Sequence, residues 1–168
     1  MTLDELNALT VQAALPELIK CCGSQRWAKA MCAARPFVSV DALHTAADGI
    51  WNGLSVEDWR EAFTHHPKIG DIDSLRKKFA TTADWASGEQ SGVNQANEET
   101  LRGLAEGNRA YEETFGYIFI VCATGKSAGE MLEMLRSRLS NPPDLEIRVA
   151  GAEQQKITRI RLDKLLSN

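Results

Sequence analysis

Apolar residues recur along this chain at three- and four-residue intervals, and short polar breaks separate the stretches in which they do so. Thr2-Leu3-Asp4-Glu5 has the form of a capping box, and apolar positions follow it to Ile19. Pro16 falls inside that stretch and predicts a kink or split there. Ser24 opens a second helix through Trp27, Ala30, Met31 and Ala34, which Pro36 stops. A third runs from Asp41 to Trp51 with Leu43, Ala47 and Ile50 on its apolar side. Ser55-Val56-Glu57-Asp58 is another acidic capping signature, opening a helix through Trp59, Ala62 and Phe63 that Pro67 ends. From Lys68 to Val93 the pattern is broken and polar, which predicts a long loop of the kind that often carries function. Helix resumes near Asn97 through Leu101, Leu104, Tyr111 and Phe115. After Gly116, residues Tyr117 to Ala123 form a continuous apolar run that periodicity alone leaves open between buried strand and buried helix. Ser127 caps a helix through Met131, Leu132, Leu135 and Leu139, with Arg136 and Arg138 where the helix dipole favours cations. Asn141-Pro142-Pro143 breaks it, and a final helix runs from Asp144 to Leu166. The expected fold is all-α: one multi-helix bundle over residues 1–168.

Length and composition narrow the function classes. A chain of 168 residues suits one domain and can bury a core without disulfides or metal. Nineteen Lys and Arg against twenty-three Asp and Glu give a net charge of −4, which argues against nucleic acid as a partner and still permits a local cationic pocket. No apolar run approaches the roughly eighteen residues of a membrane span, so no membrane association is expected. The first twenty residues carry Asp4, Glu5 and Glu17 without a basic start, and Leu166-Ser167-Asn168 is no peroxisomal address; the expected location is cytoplasmic. Cys21, Cys22, Cys32 and Cys122 include no C-x-x-C pair, so they read as free thiols filling the core.

Two short matches are decoys. Gly125-Lys126-Ser127 mimics the end of a phosphate-binding loop, but the glycine that should stand five residues before Gly125 is Ile120. His65-His66 with Asp71 and Asp73 offers metal ligands, yet adjacent helical side chains point about a hundred degrees apart and no fourth ligand is nominated. No metal is therefore expected, with a metal-dependent helical hydrolase kept as one alternative and a non-enzymatic interaction module as another. His66, at a helix end against a proline, can exchange protons near neutral pH. By the residues alone, a histidine capping the last carbonyls of its helix is the commoner explanation. Glu89 before a helix and Arg161 on the final helix have equally ordinary readings as a cap and as part of a solvated face.

As a set, these residues stand in blocks that resemble 2-oxo-4-hydroxy-4-carboxy-5-ureidoimidazoline (OHCU) decarboxylases, enzymes of the ureide branch of purine breakdown. His65-His66-Pro67-Lys68-Ile69-Gly70-Asp71 is similar to the bacterial form of the family's histidine-proline motif; animal and plant members continue differently after the proline. Trp85-Ala86-Ser87-Gly88-Glu89-Gln90-Ser91-Gly92-Val93 follows, then Gly107 to Glu112, and Phe115 to Ala123. Ser127-Ala128, Glu130-Met131-Leu132, Arg138-Leu139, Asn141, Lys156-Ile157 and Arg161-Leu162 complete the pattern, which runs from about residue 60 to the C-terminus. The resemblance implies an all-helical homodimer without metal or organic cofactor, converting a small ureidoimidazoline substrate to (S)-allantoin. It implies His66 as catalytic histidine, Glu89 as its acidic partner and Arg161 as the arginine. Pro67, the backbone around Ala86, Ser87, Gly88 and Gln90, and the backbone of Phe119, Ile120, Val121, Cys122 and Ala123 would hold the substrate's ureide groups. The apolar run would then line the site instead of forming a strand.

Overall fold

A computed structural model describes residues 1–67, 72–79 and 91–167, without the side chains of Lys78 and of residues 91–96. Among the described residues there are nine α-helices and no strand, as the apolar periodicity requires. They are α1 (Leu3–Ala8), α2 (Val11–Cys21), α3 (Gln25–Ala34), α4 (Val40–Asn52), α5 (Val56–Thr64), α6 (Ile72–Phe79), α7 (Ser91–Phe115), α8 (Ala128–Leu139) and α9 (Pro143–Ser167). They group into two compact units: residues 1–66 with 147–168, and residues 67–146.

In the first unit the predicted caps at Thr2, Ser24 and Ser55 all form, and Ser39 caps α4 just ahead of its expected start. Thr2 and Ser55 form full capping boxes, and the hydroxyls of Ser24 and Ser39 accept from the amides of Trp27 and Ala42. The predicted break at Pro16 comes earlier, at Leu9. Thr10 restarts the chain as the cap of α2, and the Arg35 guanidinium takes the orphaned carbonyls of Leu6 and Leu9 at 2.7 and 2.8 Å. Pro16 sits within α2, where both it and Gln12 are exposed, so water can serve the carbonyl that the proline leaves unpaired. Helix α3 packs on α2, α4 and α5. Buried Trp27 closes α3 on α4 by donating its indole N–H to the Ala47 carbonyl at 3.1 Å. The part of α9 in this unit is held by indoles too: Trp51 donates to the Gly151 carbonyl at 2.9 Å, and Trp59 stacks on Trp51 with centroids 5.5 Å apart. Gly151 is small because a Cβ there would lie 2.9 Å from the Trp59 ring.

In the second unit, α7 packs on α6 and on α8. Helix α6 lies within the stretch expected to be loop. Ile72, Leu75 and Phe79 give it an apolar stripe, with Leu75 and Phe79 buried, and the intervening Arg76-Lys77-Lys78 run disguises that stripe as broken pattern. Helix α7 likewise begins at Ser91, ahead of the predicted start. Residues 117–123 are neither strand nor helix, but an irregular passage entered through Gly116 at φ +81°. Ser127 caps α8 with a full capping box, as its sequence predicts.

Candidate active site

His66 follows the last turn of α5. The final carbonyls of that helix are served by backbone: the His65 amide donates to the Ala62 carbonyl and the His66 amide to that of Phe63. The imidazole is therefore not spent as a helix cap, and it reaches instead across to α9. There Nε2 of His66 meets Oε1 of Gln154 at 2.5 Å. Gln154 is fully buried, and its own Nε2 donates to Thr158 Oγ1 at 3.1 Å. The ring of His65 diverges, packing where a Cβ of Gly23 would stand, so the two histidines serve different neighbours.

Arg161 shares this face of α9, since positions 154, 158 and 161 repeat at helical spacing. It is half-buried, and among the described residues no carboxylate pairs with it. Its charge is felt by two buried thiols. Burial pushes Cys21 up to about 12, with the Arg161 cation opposing the shift. Burial pushes Cys22 up to about 11, opposed by the Ser24 amide, the Thr158 hydroxyl and Arg161. All four cysteines are buried and free, as their spacing predicts.

The apolar run 117–123 belongs to the second unit, and its backbone is held by charged side chains. Arg138 Nη1 donates to the Ile120 carbonyl at 2.7 Å, and its guanidinium lies 4.6 Å from the centre of the Phe119 ring. Lys126 Nζ donates to the Cys122 carbonyl at 2.7 Å, so the lysine of the false phosphate loop is engaged with its own chain. Arg138 is in turn fixed by Glu146, which has no exposed surface: Nε and Nη2 reach Oε1 at 2.7 and 2.6 Å. Tyr111 donates its hydroxyl to the same oxygen at 2.7 Å, and Asn141 donates to Oε2 at 3.0 Å. Phe119 also meets Tyr111 edge-on.

Of the expected site residues, His66 and Arg161 lie in one unit; the exposed Pro67 and Phe119 to Ala123 lie in the other. Ala86, Ser87, Gly88, Glu89 and Gln90 fall outside the described residues, as does Asp71 of the suspected metal cluster. Among the described residues no group of three or more His, Cys, Asp or Glu side chains converges as metal ligands, and Asp73 pairs with Arg76 at 2.6 Å. Gln154, Thr158 and the Tyr111–Arg138–Glu146 cluster were not singled out by sequence. The one available signal was the polar stripe Gln154, Thr158, Arg161 on a helix whose other positions are largely ordinary.

The sequence pattern of OHCU decarboxylase matches residues 7–163. The chain belongs to the OHCU decarboxylase family. It is 40% identical to the uric acid degradation bifunctional protein TTL of Arabidopsis thaliana over 150 residues, covering 88% of this chain and 46% of that protein. Against the bifunctional protein PucL of Bacillus subtilis the identity is 25%, over 99% of this chain and 33% of the relative. The chain thus spans less than half the length of these two relatives. The OHCU decarboxylase of Amia calva is 29% identical over 83% of this chain and 79% of its own. A crystal structure of OHCU decarboxylase in the presence of (S)-allantoin superimposes with a TM-score of 0.71 at 37% identity, covering 90% of this chain and 98% of that one. A crystal structure of (S)-allantoin synthase has the same TM-score at 20% identity, over 99% of this chain and 54% of that one, and speaks for the fold alone. Among the described residues no helix is long and apolar enough to cross a membrane.

Proposed function

We propose that this chain decarboxylates 2-oxo-4-hydroxy-4-carboxy-5-ureidoimidazoline to (S)-allantoin and CO2 without a cofactor, acting as one domain in a cytoplasmic homodimer. The observation that carries the reading is the 37% identity with an OHCU decarboxylase structure across 98% of that chain. The chemistry of the residues agrees with it. The substrate holds a carboxylate and a hydroxyl on one ring carbon beside an imine carbon. When the carbon–carboxylate bond breaks, its electron pair forms a double bond to the neighbouring carbon, and the imine nitrogen takes up the displaced pair with a proton. The hydroxyl then loses its proton to give a carbonyl, and the former imine carbon gains one. Net, CO2 leaves and one proton replaces it, so the substrate is its own electron sink.

Arg161, a cation with no carboxylate partner among the described residues, orients the anionic end of the substrate. His66 handles the hydroxyl proton, and Glu89 orients the ring of the substrate or of His66. Backbone around Ala86 to Gln90 and from Phe119 to Ala123, together with Pro67, holds the ureide groups. Delivery of the last proton from one side gives a single hand of product.

The test generates the substrate in place from urate with the two upstream enzymes and follows allantoin by circular dichroism, with and without a chelator. The expected result is rapid (S)-allantoin that the chelator leaves unchanged, and its near-complete loss in a folded His66→Asn variant. Racemic product no faster than the blank would sink the reading; chelator-sensitive turnover would favour the metal hydrolase instead. Sedimentation of the intact chain at twice its monomer mass is the matching expectation for the dimer.

A further inference from the structure

We propose that Gln154 is a positioning residue that keeps a proton on Nε2 of His66 and thereby makes Nδ1 the nitrogen that exchanges protons with substrate. The inference rests on His66 being the proton-transfer group of the reaction above.

The direction of each hydrogen bond carries the argument. Gln154 is fully buried, so both ends of its amide must find partners within the protein. One end is its NH2, which donates to Thr158 Oγ1 at 3.1 Å. The Thr158 hydroxyl accepts that bond, and it lies close enough to the Cys22 thiol to oppose the upward push of burial there. Turning the Gln154 amide over would set its oxygen against Thr158 and put an NH2 against the ring nitrogen. As placed, Oε1 faces His66 Nε2 at 2.5 Å. An amide oxygen only accepts, so Nε2 must carry a hydrogen. That holds for the neutral ring and for the cation alike.

A neutral imidazole has one N–H. With that hydrogen committed to Gln154, the lone pair lies on Nδ1. In the proposed reaction Nδ1 takes the substrate hydroxyl proton and the ring becomes an imidazolium with both nitrogens protonated. When a proton is returned, it leaves from Nδ1 and the neutral ring is restored. The Nε2 proton never moves. An amide can serve this purpose where a carboxylate would also add charge; Gln154 fixes the ring's direction and adds none.

The experiment uses the full chain with histidine labelled by 15N and observes the ring N–H protons, which water exchange erases unless a hydrogen bond holds them. Three histidines make the spectrum small. His44, whose Nε2 lies 2.7 Å from Asp163 Oδ1, is a second held ring N–H and an internal control, and His66→Asn assigns the other. The expected result is a His66 Nε2–H signal in the wild type, kept in Gln154→Glu and lost in Gln154→Leu. With the ureidoimidazoline as substrate, Gln154→Leu lowers kcat about tenfold with KM within about threefold, and Gln154→Glu recovers most of the loss. A wild-type ring protonated at Nδ1 in its neutral form, or an unchanged Nε2–H signal in Gln154→Leu, would overturn the proposal. Should the leucine variant fail to fold, the wild-type spectrum alone decides which nitrogen holds the proton, and Thr158→Val, which frees the amide to turn, must broaden or weaken the signal. A held Nε2–H in a wild type that does not turn over the substrate would sink the decarboxylase reading and leave the ring geometry standing.

Discussion

Glu146 is a carboxyl group with no access to water, and four donors from Arg138, Tyr111 and Asn141 converge on its two oxygens. Removing one partner from such a buried pair strands the other, at a cost of about 3–5 kcal/mol, far more than the pair contributes relative to apolar side chains of similar size. Arg138→Met therefore lowers the urea midpoint sharply, and adding Glu146→Leu to it recovers a substantial part. A double variant as unstable as the single one would show that the loss comes from the Ile120 carbonyl, which Arg138 also serves, and not from the stranded charge.

At the scale of helices, two glycines make opposite demands. Gly49 is exposed within α4 and a Cβ there meets nothing within 4 Å, whereas a Cβ on Gly107 of α7 would run into Leu135 of α8. Alanine in a helix gains about 0.5–1 kcal/mol over glycine, but overpacking costs about 1–3 kcal/mol. Gly49→Ala is thus expected to raise the thermal midpoint and Gly107→Ala to lower it; equal shifts of the same sign would mean that α7 and α8 can part at no cost. The sequence shows nothing of this difference, because propensity belongs to one helix and close approach belongs to two. What it shows well is local. The hydroxyls of Ser24, Ser55 and Ser127 mark helix starts through hydrogen bonds spanning three residues, and all three caps form. Pro16 misleads because the break at Leu9 depends on Arg35, which lies far along the chain. Helix α6 is hidden because only one of its faces is apolar and three cations interrupt it.

For the molecule as a whole, the buried thiols and phenol set how folding responds to alkali. Cys21 and Cys22 ionise at about 12 and 11 in the folded chain against 9.0 when free, and burial with the bond to Glu146 raises Tyr111 in the same direction. Well below pH 9 every one of these groups is protonated in both states and none of them weakens the fold. As pH rises above 9 the unfolded thiols lose protons that the folded ones keep, so the unfolded chain is favoured increasingly until the folded thiols ionise too. Melting temperature is expected to fall from about pH 8.5 to about 10.5, and a Cys21→Ala, Cys22→Ala variant to fall less over the same window. Parallel slopes would assign the alkaline loss to other groups. The candidate site is legible in the sequence only as blocks of residue types in order. His66 and Arg161 could be named, but their joint placement depends on a long-range meeting of the α5 end with α9 that no local spacing encodes.

The bare backbone of Gly23 is what the His65 ring rests on. Any side chain at that position must evict His65, and His65 shares a peptide bond with His66. In a library of random substitutions scored for turnover, position 23 is therefore expected to rank with His66, the proposed catalytic histidine. A map of function-destroying changes drawn from such a screen would place a hot spot more than forty positions away from the residue it disables.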